Sequence, residues 1–175
     1  MFTDPKRTPD PARAAARLPK GAGVIYRPFG ASNALSQGRR LARVARHRGL
    51  VLLVGADAGL ASRIRADGVH LPERLAQRLP GLKRARPGWI VTCAAHSTGA
   101  LAAAGRAGAD AAFLSPAFES RSPSAGTPMG ALRFAQRVRG ARLPIYALGG
   151  INARTVRLIV RSGASGVAAI EALAG

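Results

Sequence analysis

The chain has 175 residues, of which 47% are hydrophobic and 5% aromatic, a size and composition typical of one globular domain. Its 27 lysines and arginines outnumber its 8 acidic residues, the formal net charge is +19, and all but three of the cations are arginines. The single cysteine, Cys93, excludes an intramolecular disulfide, and the three histidines lack the spacing of a zinc site.

The first residues, Met1 to Arg7, lack the apolar segment of a signal peptide. No later run approaches the roughly 18 uninterrupted apolar residues that a membrane span needs. We therefore expect a cytoplasmic protein that does not insert into a membrane.

Seven short apolar runs come next along the sequence, and each predicts a β-strand. They lack clean alternation, which is typical of parallel strands covered on both faces. The runs are residues 23–26, 50–54, 68–71, 89–92, 111–114, 145–148 and 167–170.

The segments between these runs carry apolar residues at helical spacing, with arginines on the opposite side. Residues 37–48 predict one such helix, and residues 154–161 predict another. Solvated helix faces account for most of the net charge. Nucleic-acid binding through these basic faces is the lesser alternative, because no aromatic RNA-binding motif or helix-turn-helix pattern accompanies the arginines.

One turn pattern recurs where a helix leads into a strand, at residues 65–69, 108–112 and 163–167. A small residue ends the helix, and an Asp or Ser leads into the strand. Phe2 to Asp4 has the character of an earlier strand's end, which brings the strand count to eight. The sequence thus predicts an α/β fold over residues 1–175 as a single domain. We expect a compact (β/α)8 TIM barrel with a truncated first strand and short helices, although a doubly wound sheet has the same alternation.

Two segments at predicted strand ends could bind phosphate. Gly149 and Gly150 stand where a strand leads into a predicted helix, so their N–H groups and the helix dipole would favour an anion. The loop after residue 114 carries Ser120, Arg121 and Ser122, whose hydroxyls and guanidinium are suited to phosphate. A tight turn and a mobile surface loop are the respective structural alternatives.

His70 and His96 lie near strand ends and are candidate general bases, but neither has an acidic partner at a recognisable spacing. We interpret both as structural. Cys93 has no recognisable nucleophile set around it and is expected to pack in the core.

Three stretches together resemble the thiamine phosphate synthase and thiazole tautomerase (TenI-type) barrels. They span nearly the whole chain in the family's order: residues 66–71, residues 108–122, and residues 147–152 with 163–170. The resemblance implies a TIM barrel of thiamine biosynthesis that binds small phosphorylated heterocycles and acts as a transferase or an isomerase.

The thiazole-phosphate half of the family site is largely matched. Ser120 and Ser122 stand where the family has threonines, Gly150 matches its phosphate-binding glycine beside Gly149, and Ile170 keeps its place in backbone contact. Glu171 replaces a serine there, which puts a carboxylate near the expected phosphate unless Arg121 or another cation neutralises it.

The other half of the family site, which the resemblance assigns to a diphosphate group, is poorly matched in this sequence. Arg27 keeps the family arginine, whereas Phe29 replaces a lysine, Ala94 replaces a serine and Pro123 replaces the phosphate-loop lysine. The tautomerase histidine is absent as well, since Pro116 occupies its position.

The family's metal-binding residues are changed too. Gly55 and Ala56 replace an Asn and a metal-binding Asp, and Leu75 replaces the second metal Asp. Asp57 and Glu73 are the carboxylates nearest in sequence to the two changed aspartate positions. We therefore regard Mg²⁺ as a doubtful cofactor and expect no metal-ligand set.

We therefore expect a divergent family member that binds a thiazole phosphate or a similar phosphorylated heterocycle. The alternative is a degenerate, non-catalytic phosphate-binding or regulatory barrel. The catalytic residues, the retention of catalysis and the oligomeric state stay open at this point.

Overall fold

The computed structural model describes residues 1–120 and 126–170. These residues form two compact units. The first comprises Met1–His70, Gly88–Ile90 and Ile170, and the second comprises Leu71–Pro87 and Val91–Ala169.

The elements alternate between strand and helix, as predicted. The strands are β1 (Gly23–Tyr26), β2 (Val51–Gly55), β3 (Gly68–Leu71), β4 (Ile90–Ala95), β5 (Ala111–Leu114), β6 (Ile145–Ala147) and β7 (Gly166–Val167). The α-helices are α1 (Pro11–Ala15), α2 (Ala34–Arg48), α3 (Ala58–Ile64), α4 (Leu79–Ala85), α5 (Thr98–Arg106) and α6 (Gly130–Arg139). Two 3-10 turns cover Glu73–Arg78 and Val156–Leu158. None of the helices within the described residues is long and apolar enough to cross a membrane.

The strands are parallel and follow chain order. In the first unit β1 pairs with β2 and β2 with β3, and Phe2 forms a parallel bridge to Ile25 of β1. In the second unit β4, β5, β6 and β7 pair in succession. The α/β class is therefore confirmed. The predicted closed (β/α)8 barrel is not, because the sheet order runs from β1 to β7 and no pair among the described strands closes a ring.

The carboxyl-terminal third departs most from the prediction. The helix expected at residues 154–161 is reduced to the 3-10 turn, and the strand expected at 167–170 is the two-residue β7. The Asn152 carboxamide oxygen accepts hydrogen bonds from the N–H groups of Arg154 and Thr155, at 2.9 and 3.1 Å. Such an Asx turn offers the backbone an alternative to the helix, and β-branched Thr155, Val156 and Ile159 weaken helix formation further.

In the first unit, α2 packs closely on its neighbours through Gly38. A Cβ at Gly38 would lie 3.1 Å from Tyr26 Cε1 and 3.3 Å from Ile64 Cγ2. The absence of a side chain thus lets α2 approach both β1 and α3. The fully buried Leu41 lies on the apolar face of the same helix.

In the second unit, the core lies between α5, α6 and strands β4 to β6. Its largest buried members are Leu101, Leu114, Phe134 and Ile145. Cys93 is fully buried on β4, and burial raises the pKa of its thiol to about 11, so it packs as an apolar residue as predicted.

The recurrent turn found in the sequence tethers the start of each preceding strand. Asp67 donates its N–H to Leu52 O at 2.8 Å, while its carboxylate accepts the Leu52 N–H at 2.7 Å. Asp110 makes the same pair of bonds with Val91, at 3.0 and 2.6 Å. Ser165 keeps the main-chain bond, to Ile145 O at 2.8 Å. The Asp or Ser of the repeat therefore fixes strand register at the amino-terminal edge.

Replacing Asp67 with alanine should destabilise the protein, because it leaves the Leu52 N–H without its side-chain acceptor. We expect the free energy of unfolding to fall by about 1–3 kcal/mol, measured by urea denaturation. Asp67→Asn, which keeps an acceptor oxygen, is the matched control and should lose less. Equal stability of the alanine variant and the parent would contradict this role.

Candidate functional site

The strongest cluster of predicted site residues lies in the second unit, where the segment after β5 meets the turn after β6. Ala117 donates its N–H to Leu148 O at 2.8 Å, and Phe118 donates to Gly149 O at 3.0 Å. These two bonds hold the start of the Ser120 loop against the Gly149–Gly150 turn. The two segments are thus in contact through residues 117–119.

Both glycines of this turn are required by its geometry. Gly149 and Gly150 have φ angles of +90° and +66°, a backbone conformation that L side chains rarely adopt. A Cβ at Gly150 would lie 2.3 Å from Glu119 O, and one at Gly149 would lie 3.0 Å from Pro116 Cα. The backbone of residues 116–119 therefore packs directly on the turn.

The same turn presents main-chain donors. The N–H groups of Gly149, Gly150 and Ile151 donate no hydrogen bond to any described residue. Thr155 Oγ1 donates to Gly150 O at 2.8 Å and accepts the Asn152 N–H at 2.9 Å, so the turn is held from within. The predicted helix dipole is missing, because no α-helix follows within residues 151–170. The turn itself would therefore offer an anion main-chain N–H groups in a curved backbone, without a helix dipole.

A second polar cluster surrounds His96, directly after β4. Its Nδ1 lies 2.9 Å from Ser115 O and 3.3 Å from Ser115 Oγ, so a neutral ring that donates from Nδ1 presents Nε2 to solvent. The Glu73 carboxylate accepts the His96 N–H at 2.8 Å, and Arg137 donates to His96 O at 3.1 Å. Sequence spacing carried no sign of Glu73 or Arg137, which lie 23 and 41 residues away.

In the first unit, Arg27 lies between two aromatic rings. Its guanidinium carbon is 5.1 Å from the centre of the Phe2 ring and 5.2 Å from that of Phe29. Nε donates to Thr3 O at 2.9 Å, while Nη2 is buried and has no hydrogen-bond partner among the described residues. Burial lowers the pKa of this guanidinium, with Asp4 opposing and Arg7 adding to the effect. A partly desolvated cation thus keeps one buried donor without a partner among the described residues.

His70 is a structural residue, as predicted. It is buried on β3 and meets the Phe2 ring edge-on, with centroids 5.1 Å apart. Burial, with a smaller contribution from Arg27, lowers the pKa of the imidazole to about 3. The ring is therefore neutral in the folded protein at neutral pH.

The residues present do not fit the two-carboxylate Mg²⁺ site that the family resemblance implies. The Asp57 carboxylate caps α3 by accepting the Leu60 N–H at 2.7 Å, and the Glu73 carboxylate holds the His96 N–H. Ala56 and Leu75 have no side-chain oxygen to offer as a ligand. No group of three His, Cys, Asp or Glu side chains in residues 1–120 and 126–170 is arranged for a metal ion.

The remaining predicted residues divide between the two units or lie outside the described residues. Arg27 and Ile170 belong to the first unit, whereas Ser120, Gly149 and Gly150 belong to the second. Arg121, Ser122 and Glu171 lie outside the described residues.

Comparison with known proteins identifies the family to which this chain belongs. Residues 3–173 match the TMP-TENI family model, described as thiamine monophosphate synthase. A putative thiamine-phosphate synthase 2 of Aquifex aeolicus is 36% identical over 123 residues, 69% of this chain and 64% of the relative. A thiamine-phosphate synthase of Geobacillus thermodenitrificans is 36% identical over 144 residues, 78% of this chain and 62% of the relative. The chain thus spans under two thirds of these relatives' length.

A solved structure agrees in fold. The thiamine phosphate pyrophosphorylase from Pyrococcus furiosus superimposes with a TM-score of 0.82 at 22% identity, covering 97% of this chain and 82% of that one. The chain therefore belongs to the thiamine monophosphate synthase family, and the resemblance drawn from the sequence motifs is confirmed.

Gly150→Ala should disrupt the turn, because its Cβ would clash with Glu119 O and the left-handed backbone disfavours alanine. We expect a loss of about 1–3 kcal/mol in unfolding free energy, measured by denaturant melts. Gly81→Ala is the control, since a Cβ there meets nothing within 4 Å and alanine favours helix α4. A Gly150→Ala protein as stable as the control would show that the turn does not pack as described.

His70 should make the protein less stable in acid. Between about pH 6.5 and its folded pKa of about 3, the unfolded chain binds a proton at His70 that the folded chain does not. Unfolding free energy should therefore fall, by about 1.4 kcal/mol per pH unit at most, as pH decreases below 6.5. His70→Gln should flatten this slope, whereas His47→Gln at an exposed position should not. An unchanged slope in His70→Gln would rule out this source of acid sensitivity.

Proposed function

We propose that this protein binds a thiazole phosphate, or a similar small phosphorylated heterocycle, as a divergent member of its family. Its place would be in thiamine biosynthesis in the cytoplasm. The observation that carries the proposal is the Gly149–Gly150 turn, whose N–H groups donate to no described residue while the backbone of 116–119 packs against it. Main-chain donors in a curved backbone favour a phosphate.

The ligand's phosphate would lie on the Gly149–Gly150 turn, with Ser120 donating its hydroxyl. The resemblance extends this set to Ser122, Ile170 and, as a neighbouring cation, Arg121. Glu171 would act against phosphate binding unless a guanidinium balances it. The resemblance also counts Arg27 among the ligand-binding residues, and its buried Nη2, which lacks a hydrogen-bond partner among the described residues, is suited to another anionic group.

The resemblance implies a synthase reaction that joins two precursors, a pyrimidine methyl diphosphate and a thiazole phosphate, and releases diphosphate with the help of Mg²⁺. We infer further that this chain has lost that reaction. In the family, Mg²⁺ would neutralise the departing diphosphate and so assist its release. Here the nearest carboxylates, Asp57 and Glu73, are engaged by the backbone, and the positions of the two family aspartates hold Ala56 and Leu75. The function supported best is therefore ligand binding without synthase turnover.

The test combines binding with catalysis. Thiazole phosphate should raise the melting temperature, since a ligand that binds only the folded state stabilises it by about 2.7 kcal/mol at a concentration of roughly a hundred times Kd. Inorganic phosphate should compete weakly, and Ser120→Ala should reduce the shift. Coupling of both precursors with Mg²⁺ should yield no product above the protein-free rate.

Product formation that depends on Mg²⁺ and is abolished by Arg27→Gln would overturn the non-catalytic conclusion and restore the synthase. Absence of a melting shift with thiazole phosphate would refute the binding proposal itself. Arg106→Gln, an exposed change on α5, is the matched control for charge, because it removes one positive charge and should leave both binding and coupling unchanged.

A further inference from the structure

A groove between α2 and α3 in the first unit is lined almost entirely by arginines. Its volume is about 480 Å³, within the range of small-ligand sites. Besides Ser36 and the buried Ile64, the lining residues are Arg39, Arg43, Arg46, Arg63 and Arg65. No carboxylate of the described residues lines the groove, so five arginines contribute to the lining of one concave space.

The groove arginines differ from their neighbours on α2 in their contacts. Arg40 forms an ion pair with Asp10, and Arg48 donates to Leu18 O at 3.2 Å. By contrast, no hydrogen bond or ion pair within the described residues engages the side chains of the five groove arginines. Their donors are available to an external ligand.

The floor and spacing of the groove are fixed by packing. Gly38 leaves room for α2 to pack against α3, since a Cβ there would lie 3.3 Å from Ile64 Cγ2, and the lining arginines come from α2 and from the end of α3. Arg39, Arg43 and Arg46 form one stripe along α2, about 10 Å long at roughly 1.5 Å per residue. Arg65 ends α3 with φ +54°, a conformation that favours glycine.

The chemistry of the lining selects the ligand class. Guanidinium groups bind phosphate oxygens in bidentate geometry, and several on one groove match several adjacent charges. None of the lining residues is an aromatic side chain on which a base could stack, which argues against single-stranded nucleic acid. We propose that this groove binds a linear oligophosphate, a run of at least three consecutive phosphates.

Two sources share this chemistry: inorganic tripolyphosphate and the phosphate chain of a nucleoside triphosphate. Tripolyphosphate should bind the wild-type protein, with affinity that falls as salt rises. If tripolyphosphate binds and the nucleoside triphosphate does not, the ligand is a free oligophosphate. If the two bind equally, the groove recognises the phosphate chain and not the nucleoside. Inorganic phosphate should bind at least about tenfold more weakly, because it engages fewer guanidinium groups.

The decisive comparison removes the same charge from two places. The triple variant Arg39→Gln, Arg43→Gln, Arg46→Gln should weaken tripolyphosphate binding by about tenfold or more, measured by calorimetry. The control Arg106→Gln, Arg133→Gln, Arg139→Gln removes three exposed arginines from α5 and α6 and should bind nearly as wild type. Glutamine preserves helix propensity, so both proteins should keep their melting temperature.

A single substitution separates binding from folding. Arg65→Gly removes one guanidinium and relieves the left-handed backbone, so it should weaken binding without lowering the melting temperature. If the two triple variants lose tripolyphosphate affinity equally, net charge alone explains the binding, and the proposed site is overturned. Single-stranded DNA that binds more tightly than tripolyphosphate and displaces it would also overturn the proposal, as would absence of tripolyphosphate binding.

Discussion

Hydrogen bonds from main-chain N–H groups to carboxylates organise much of this protein. Six of the seven acids among residues 1–120 and 126–170 accept at least one such bond. They are Asp4, Asp10, Asp57, Asp67, Glu73 and Asp110. Each bond caps a helix, closes a turn or fixes the backbone at a strand, so the scarce negative charge serves the fold. Within the described residues, the same use leaves most arginines without carboxylate partners.

The first unit shows how changes at the diphosphate half depend on one another. A Cβ at Gly55 would lie 3.0 Å from Arg27 Cγ, so the missing side chain allows Arg27 its present position. Phe29, in place of a lysine, removes a like charge from beside Arg27 and supplies the face of a ring. The aromatic contacts stabilise a guanidinium that burial would otherwise disfavour. Gly55 and Phe29, which stand where the resemblance places an Asn and a Lys, therefore both shape the surroundings of Arg27.

Local patterns in the sequence predicted most of the fold, since β1 to β7 each begin within one residue of the expected position. The prediction failed where a side chain competed with the helix, at Asn152, because periodicity does not register an Asx turn. The Gly149–Gly150 turn was predicted on the expectation of a helix dipole. In the structure, the two glycines are required because the backbone of residues 116–119 packs closely against them. Arg137 was missed because its role depends on a contact 41 residues away, for which one sequence carries no signal.

The net charge of +19 has two separate consequences once the carboxylates are accounted for. Spread over exposed helix faces, it raises the local concentration of any anion, an effect that salt screens within about 8–10 Å. In the groove of α2 and α3, five arginines line one concave surface, and planar guanidinium donors that bind a ligand there would select its geometry in a way that net charge cannot. A bidentate contact depends on where a guanidinium lies, whereas long-range attraction depends on total charge. Removing three arginines from the groove or three from α5 and α6 therefore separates the two effects.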